Sequence, residues 1–399
     1  MGLSQYIKLS NLDVIHTLKT TQELDAFCAH ARNFPYVTID TEFLREKTYW
    51  PILCLVQLAL PGDAETDAVL VDPLVDGLSL EPLYELLRDT SVVKVFHAAR
   101  QDLEIFFVQG NVFPDPLFDT QVAAMVCGYG EQASYETLAR SLAKVQVDKS
   151  SRFTDWTRRP LSEAQQAYAL ADVTHLRTIY EALKGQLEKS GRSAWIDDEL
   201  ATLTDPATYT TVPADAWMKV RTRSNQPRFL AIVKELARFR EEFAIAQNIA
   251  RSRLFKDDAL LEIASAKPTT IEELQRCRLL FREGRKPDVV EGILAAVKRA
   301  LALPNSELPK PQDEEHTKPG SPALVDLLKV LLKARAESSR TAQRLIASSS
   351  DIDRLAAGER QVPVLDGWRY DAFGRDALRL CEGQVALTWK GKGLKVIDV

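Results

Sequence analysis

In the segment VTIDTEF, Asp40 and Glu42 stand two residues apart in a β-branched, apolar run. A strand turns residues i and i+2 to one face, so the two carboxylates share a side. Val37 and Ile39 beside them belong to a core, and crowding like charges at a core edge is costly unless a divalent cation or a proton compensates. A lone pair of this kind is also what the solvent face of an edge strand looks like. A second acidic position lies in VVKVFHAARQDLEIFF, where an apolar strand runs into a helix and Asp102 falls on the first turns. Strand ends in α/β sheets collect sites, although an acid at a helix start is favoured by the helix dipole alone. His97 and Arg100 flank it. In YALAD, Tyr168 and Asp172 are four apart on a periodic helix, which stacks them about one turn apart. The phenol can orient a water there, and the carboxylate can anchor a metal that lowers the pKa of that water.

The elements that position these residues alternate in type. VTID (37–40), ILCLVQLAL (52–60), AVLVD (68–72) and SVVKVF (91–96) read as strands. LEPLYELLRD (80–89), LEIFFVQG (103–110), DTQVAAMVCGYG (119–130) and the run from 161 to 191 carry apolar residues at three-and-four spacing and read as helices. Three strands precede the helices with turn-sized gaps, which predicts a mixed sheet with an antiparallel ribbon. Asp119 opens a helix and is expected to be an N-cap rather than a ligand.

Beyond about residue 205 the segments 227–249, 257–265, 270–277 and 289–301 are all helical in period. The Pro- and charge-rich stretch LPKPQDEEHTKPGSP (308–322) reads as a linker. A second helical unit follows, with a long amphipathic helix and a short Asp-started one in the order of the first, which suggests a diverged duplication. QVALTWKGKGLKVI alternates around Gly-Lys-Gly and predicts a terminal β-hairpin. The division expected is therefore 1–208, 209–305, a linker at 306–322, and 323–399: an α/β domain with a mixed sheet, then two small all-α domains.

At 399 residues and 45% hydrophobic content, the chain can bury cores for two or three domains. No run approaches the roughly 18 apolar residues that span a bilayer. MGLSQYIKLS shows neither a signal-peptide apolar run nor an Arg-rich transit pattern, so the cytoplasm is the expected compartment and no membrane is involved. Five scattered cysteines form no CxxC pair, which disfavours a disulfide framework or a structural zinc site. The net charge of -5 hides an asymmetry. Lys+Arg against Asp+Glu is 18 and 30 up to residue 205, 18 and 12 from 206 to 305, and 15 and 14 thereafter, giving -12, +6 and +1. An acidic unit that gathers cations beside a basic one that meets phosphates fits this split, as does ordinary surface variation.

Each acidic piece is ambiguous alone, but their order is not. VTIDTEF, FHAARQDLE and YALADV look like the three exonuclease motifs of the DEDD superfamily in its tyrosine-bearing subclass. LCLVQLA, FDTQVAAMVCGYG and DWTRRPLSEAQQAYALADV resemble the ribonuclease D family. DDALLEIA and DGWRYDAFGRDAL resemble parts of the tandem helicase-and-RNase-D C-terminal (HRDC) domains of that family. The resemblance implies a ribonuclease H-like catalytic domain and 3′→5′ exoribonuclease activity on RNA 3′ ends, tRNA precursors included, releasing nucleoside 5′-monophosphates. It implies Asp40, Glu42, Asp102 and Asp172 as metal ligands and Tyr168 as the residue that positions the attacking water. All-oxygen ligands suit two Mg²⁺ or Mn²⁺ ions. Phe43 is a candidate to stack on the terminal base, with core packing the alternative. Gln57 and His97 are further candidate substrate contacts, and Arg221 and Arg223, with Arg228, Arg251, Arg253 and Lys256, are candidate phosphate contacts. No obligate protein partner is evident. A DNA-directed 3′→5′ exonuclease and a non-catalytic RNA-binding protein remain alternatives at this point.

Overall fold

The structure is a computed structural model that describes residues 17–62, 67–280, 282–309, 320–391 and 393–399. Its first unit is built on six strands: β1 (Thr17–Leu18), β2 (Tyr36–Leu44), β3 (Ile52–Ala59), β4 (Ala68–Val71), β5 (Val93–Phe96) and β6 (Leu117–Asp119). They lie in the order β1-β4-β3-β2-β5-β6. The β2-β3-β4 ribbon is antiparallel, and β1, β5 and β6 each add parallel to a neighbour. The mixed sheet expected from the sequence is the one that forms. β3 is almost wholly buried, which is why ILCLVQLA runs apolar instead of alternating.

Helices α1 (Thr21–Ala31), α2 (Glu81–Arg88) and α3 (Arg100–Gly110) pack with Val37, Ile39 and Val56 in one core. Another core, with Tyr36, Val95 and Phe118, takes in α4 (Thr120–Val126), α5 (Tyr135–Leu138) and the long α6 (Glu163–Ser190). Ser162 and Gln165 close a capping box at the start of α6, and Gly191 ends it in the left-handed region at φ 65°. α7 (Asp197–Leu203) leads out of the unit.

α8 (Pro227–Ala246), α9 (Arg251–Leu254), α10 (Asp257–Ala266), α11 (Ile271–Gln275) and α12 (Pro287–Ala302) share a separate core. The last unit repeats their order with α13 (Pro322–Ser339), α14 (Gln343–Ile346), α15 (Ser349–Ala356), α16 (Gly367–Arg369) and α17 (Arg375–Cys381). It ends in the expected hairpin, β7 (Val385–Lys390) with β8 (Gly393–Asp398). The linker expectation falls mostly on 310–319, which lie outside the described residues. All five cysteines are free thiols, with Cys127 and Cys381 only half-buried. Among the described residues no helix is long and apolar enough to cross a membrane.

Both helical units dock on the first. Tyr49 is buried in the core of α8–α12 and Trp50 packs against it. The backbone N–H groups of these two residues donate to Asn248 Oδ1 at 3.1 and 2.9 Å. On the other side, Trp368 stacks on Trp195 at 4.2 Å, Arg369 pairs with Asp198 and Glu199, and the Ala342 N–H donates to the Met125 carbonyl at 2.9 Å. The chain thus leaves the sheet unit and returns to it.

Candidate active site

Asp40 and Glu42 sit on the face of β2 that α6 covers, the face on which the Thr38 hydroxyl donates to the Val173 carbonyl at 2.8 Å. Asp172 projects from α6 toward them. One carboxylate oxygen from each of Asp40, Glu42 and Asp172 can be chosen so that all lie within 4.8 Å of one another. Asp102 lies outside that trio but adjoins it: the hydroxyl of Thr41, between the two β2 acids, donates to Asp102 Oδ1. Tyr168, one turn before Asp172, hydrogen-bonds its carboxylate. The structure therefore gathers all five motif residues at one place.

Burial sets the electrostatics there. It pushes Glu42 up to about 9, with the charges of Asp172 and Asp102 adding to the shift and Arg152 opposing it. Burial likewise raises Asp102 and Asp172 to about 7, moderated by the hydrogen bonds from Thr41 and Tyr168 respectively. Asp40 lies well above the carboxylate range, through burial and the charges of Asp102, Asp172 and Glu42. The Tyr168 phenol is raised by burial and the acids around it, and stays protonated. A cluster of hard oxygens that resists ionisation together is a site suited to a divalent cation, which would favour the charged forms.

Several surrounding residues hold this geometry. Asp119 accepts from the Gln121 N–H at 2.7 Å as the expected N-cap of α4, but also from the Ala98 and Ala99 N–H groups at 3.1 and 2.8 Å. It thereby clamps the turn into α3, where Ala98 takes the left-handed φ of 57°. Tyr135 is a further residue of this shell. Its hydroxyl lies 3.0 and 2.7 Å from the carbonyls of Ala171 and Asp172, the α6 turn that carries a site acid. A Tyr in a short helix carries no distinguishing pattern of its own, so no sequence signal marked it.

The candidate substrate contacts fare differently. His97 is held edge-on against Tyr135 at 5.6 Å with Nδ1 3.0 Å from the Thr120 hydroxyl, and burial lowers its pKa despite the charge of Asp119. Gln57 pairs with Asp40 in register but is fully buried, and neither polar atom of its amide has a hydrogen-bond partner among the described residues. Phe43 follows a register shift in β2 and packs against the main core. Arg221 and Arg223 are exposed ahead of α8. Arg228 instead caps the end of α12, donating to the Ala300 and Leu303 carbonyls at 3.1 and 2.6 Å. Arg251 pairs with Glu241 at 3.3 Å and lies over the Tyr49 ring. Between the 45–50 loop and the first helical unit runs a cleft of about 570 Å³, lined by Arg45, Lys219, Arg251 and Lys256 together with Glu241 and Asp257.

Comparison with known proteins agrees with this architecture. Residues 15–188 match the 3′-5′ exonuclease family and residues 229–297 the HRDC domain. The chain is 57% identical over 384 residues to "Ribonuclease D" of Jannaschia sp., covering 96% of this chain and 100% of that one. It is 50% identical to "Ribonuclease D" of Granulibacter bethesdensis over 94% of this chain and 95% of the relative. The crystal structure of Escherichia coli RNase D, described as "an exoribonuclease involved in structured RNA processing", superposes with a TM-score of 0.80 at 30% identity, covering 93% of this chain and 99% of that one. With the motif acids and Tyr168 gathered at one end of the sheet and the likeness running nearly end to end, the chain belongs to the ribonuclease D family of 3′→5′ exoribonucleases.

Proposed function

We propose that this protein trims RNA 3′ ends, tRNA precursors among them, one nucleoside 5′-monophosphate at a time, with two divalent ions (Mg²⁺ or Mn²⁺) held by Asp40, Glu42, Asp102 and Asp172. The observation that carries this reading is the convergence of the Asp40, Glu42 and Asp172 carboxylates within 4.8 Å, next to Asp102 and under Tyr168. Bound there, such ions supply a low-pKa water and neutralise charge on the phosphoryl and leaving oxygens. Asp40, with an acid on every side, is the natural shared ligand. Tyr168 stays a neutral phenol, so its role is to orient the attacking water by hydrogen bonding rather than to take the proton. Thr41 and Tyr135 act one step back, the first fixing the Asp102 carboxylate and the second the backbone at Asp172. The basic cleft beside the 45–50 loop, with Arg221 and Arg223 near its helical wall in sequence, supplies a path for the RNA backbone. The three units expected from the sequence, divided near 208, 305 and 322, would then share the work as catalyst and RNA holders.

The test is an end-labelled tRNA precursor incubated with Mg²⁺ or with EDTA. Stepwise shortening from the 3′ end, with mononucleotide product and only with metal, is expected; faster cleavage of matched single-stranded DNA would overturn the choice of RNA. Tyr168→Phe should lower kcat about a hundredfold while leaving metal affinity within about twofold, since it removes one positioning hydrogen bond and no ligand. Unaltered turnover would remove the water-positioning role.

A further inference from the structure

Just ahead of α6, residues 151–156 form a loop whose ends are fixed and whose tip is bare. Ser151 and Trp156 are buried, and the Thr154 hydroxyl accepts from Gln165 Nε2 at 3.0 Å. Arg159, a few residues on, grips Asp72 with two bonds of 2.6 and 2.7 Å and the Cys54 carbonyl with another of 2.6 Å, tying the segment to the sheet. At the tip Phe153 is 91% exposed, the barest large apolar side chain among the described residues. The Arg152 guanidinium lies 5.3 Å from the centre of that ring, and its charge acts on both Glu42 and Asp172. An aromatic face offered to solvent on a tied-down loop, with a cation beside it whose charge reaches Glu42 and Asp172, matches a nucleotide in layout: a base to stack and a phosphate to neutralise. Phe43, the ring that the sequence suggested for stacking, is partly buried and packs against the main core.

We propose that Phe153 and Arg152 form the seat of the 3′-terminal nucleotide, the Phe153 ring stacking on the terminal base and the Arg152 guanidinium pairing with the adjoining phosphate. This deepens the exonuclease reading above and rests on it. Stacking accepts any base, so the seat recognises an end rather than a sequence. The Thr154–Gln165 hydrogen bond ties the seat to the first turn of α6, the helix that carries Tyr168 and Asp172.

The experiment uses the full chain with a single-stranded RNA bearing 2-aminopurine as its 3′-terminal base, Ca²⁺ replacing Mg²⁺ and RNA integrity checked on a gel. Stacking quenches the fluorophore. Quenching is expected in the wild type and in Phe153→Trp and should be lost in Phe153→Ala. Under Mg²⁺, Phe153→Ala should raise KM about tenfold with kcat changed by less than about threefold. Arg152→Gln should weaken binding about tenfold and flatten the dependence of log affinity on log salt by about one unit. Unchanged quenching and KM in Phe153→Ala would overturn the stacking role, and unchanged affinity and salt slope in Arg152→Gln the phosphate role. A wild type that quenches the terminal base yet never shortens RNA with Mg²⁺ would leave the seat standing and sink the exonuclease reading, so the two failures are distinct.

Discussion

With three carboxylates within 4.8 Å and a fourth adjoining, a metal bound there would compete with protons for the same oxygens. Asp102 and Asp172 sit near 7 and Glu42 near 9, all far above the roughly 4 expected of an unfolded chain. The folded state therefore binds more protons than the unfolded state between about pH 4 and 9, and stability without metal falls as pH rises through that window. A cation reverses the loss because it favours the ionised acids. The Mg²⁺-induced rise in Tm should accordingly be small near pH 5.5 and grow by about 3 °C or more per pH unit toward pH 8.5, with each proton displaced making binding tenfold tighter per unit. Differential scanning fluorimetry with Mg²⁺ or EDTA across that range reads it; a shift that is constant with pH would count against a coupled acidic metal site. At this scale the sequence disclosed what chemistry constrains most. The five motif residues are legible because the metal chemistry proposed for them would fix their types and order, whereas the packing that buries Gln57 and partly buries Phe43 is carried by no local pattern. Phe153 carries no sequence signal because its exposure depends on a loop held by distant partners, Cys54 and Asp72.

Among the elements, long periodic segments such as α6 and β3 could be read directly, as could the apolar runs of the four-residue β4 and β5, but the shortest strands could not. β1 has two residues and β6 three, too few for alternation to register, and each exists because a neighbouring strand offers it a parallel edge. α1 did carry a signal: Thr20 and Glu23 form a capping box that the Thr-x-x-Glu spacing announces. The β6-to-α4 junction shows how much a short element can decide. Asp119 ends β6, caps α4 and also satisfies the two N–H groups of the turn into α3, the helix that carries Asp102. Asp119→Ala should strand these donors and destabilise the protein by about 2–3 kcal/mol, as a lost cap plus unmet buried amides. It should also lower metal affinity, since Asp102 loses its backbone support. Urea denaturation with an unchanged m-value, paired with Mg²⁺ titration, checks both. A loss of stability with intact metal affinity would confine Asp119 to capping.

For the whole molecule, the charge split read from the sequence, -12 against +6, acquires a geometry. The basic unit is not tethered at a distance but latched to the loop that joins β2 to β3, eight residues beyond Glu42 at Trp50. Removing the chain beyond about 210 would strip Tyr49 and Trp50 of the core that covers them, so the loss of activity would mix misfolding with lost RNA binding. A gentler probe is Asn248, which stands in the left-handed region at φ 48° and accepts both N–H groups of the latch. Asn248→Gly keeps that backbone conformation at little cost and deletes only the acceptor. If the helical unit serves to hold RNA against the acidic site, loosening the latch should raise KM for a tRNA precursor about three- to tenfold and reduce its salt dependence. Hydrolysis of a short oligonucleotide too small to reach the cleft should change by less than about twofold. Equal effects on both substrates would place the latch in the service of the catalytic sheet instead, by way of the β2 segment that carries Asp40 and Glu42.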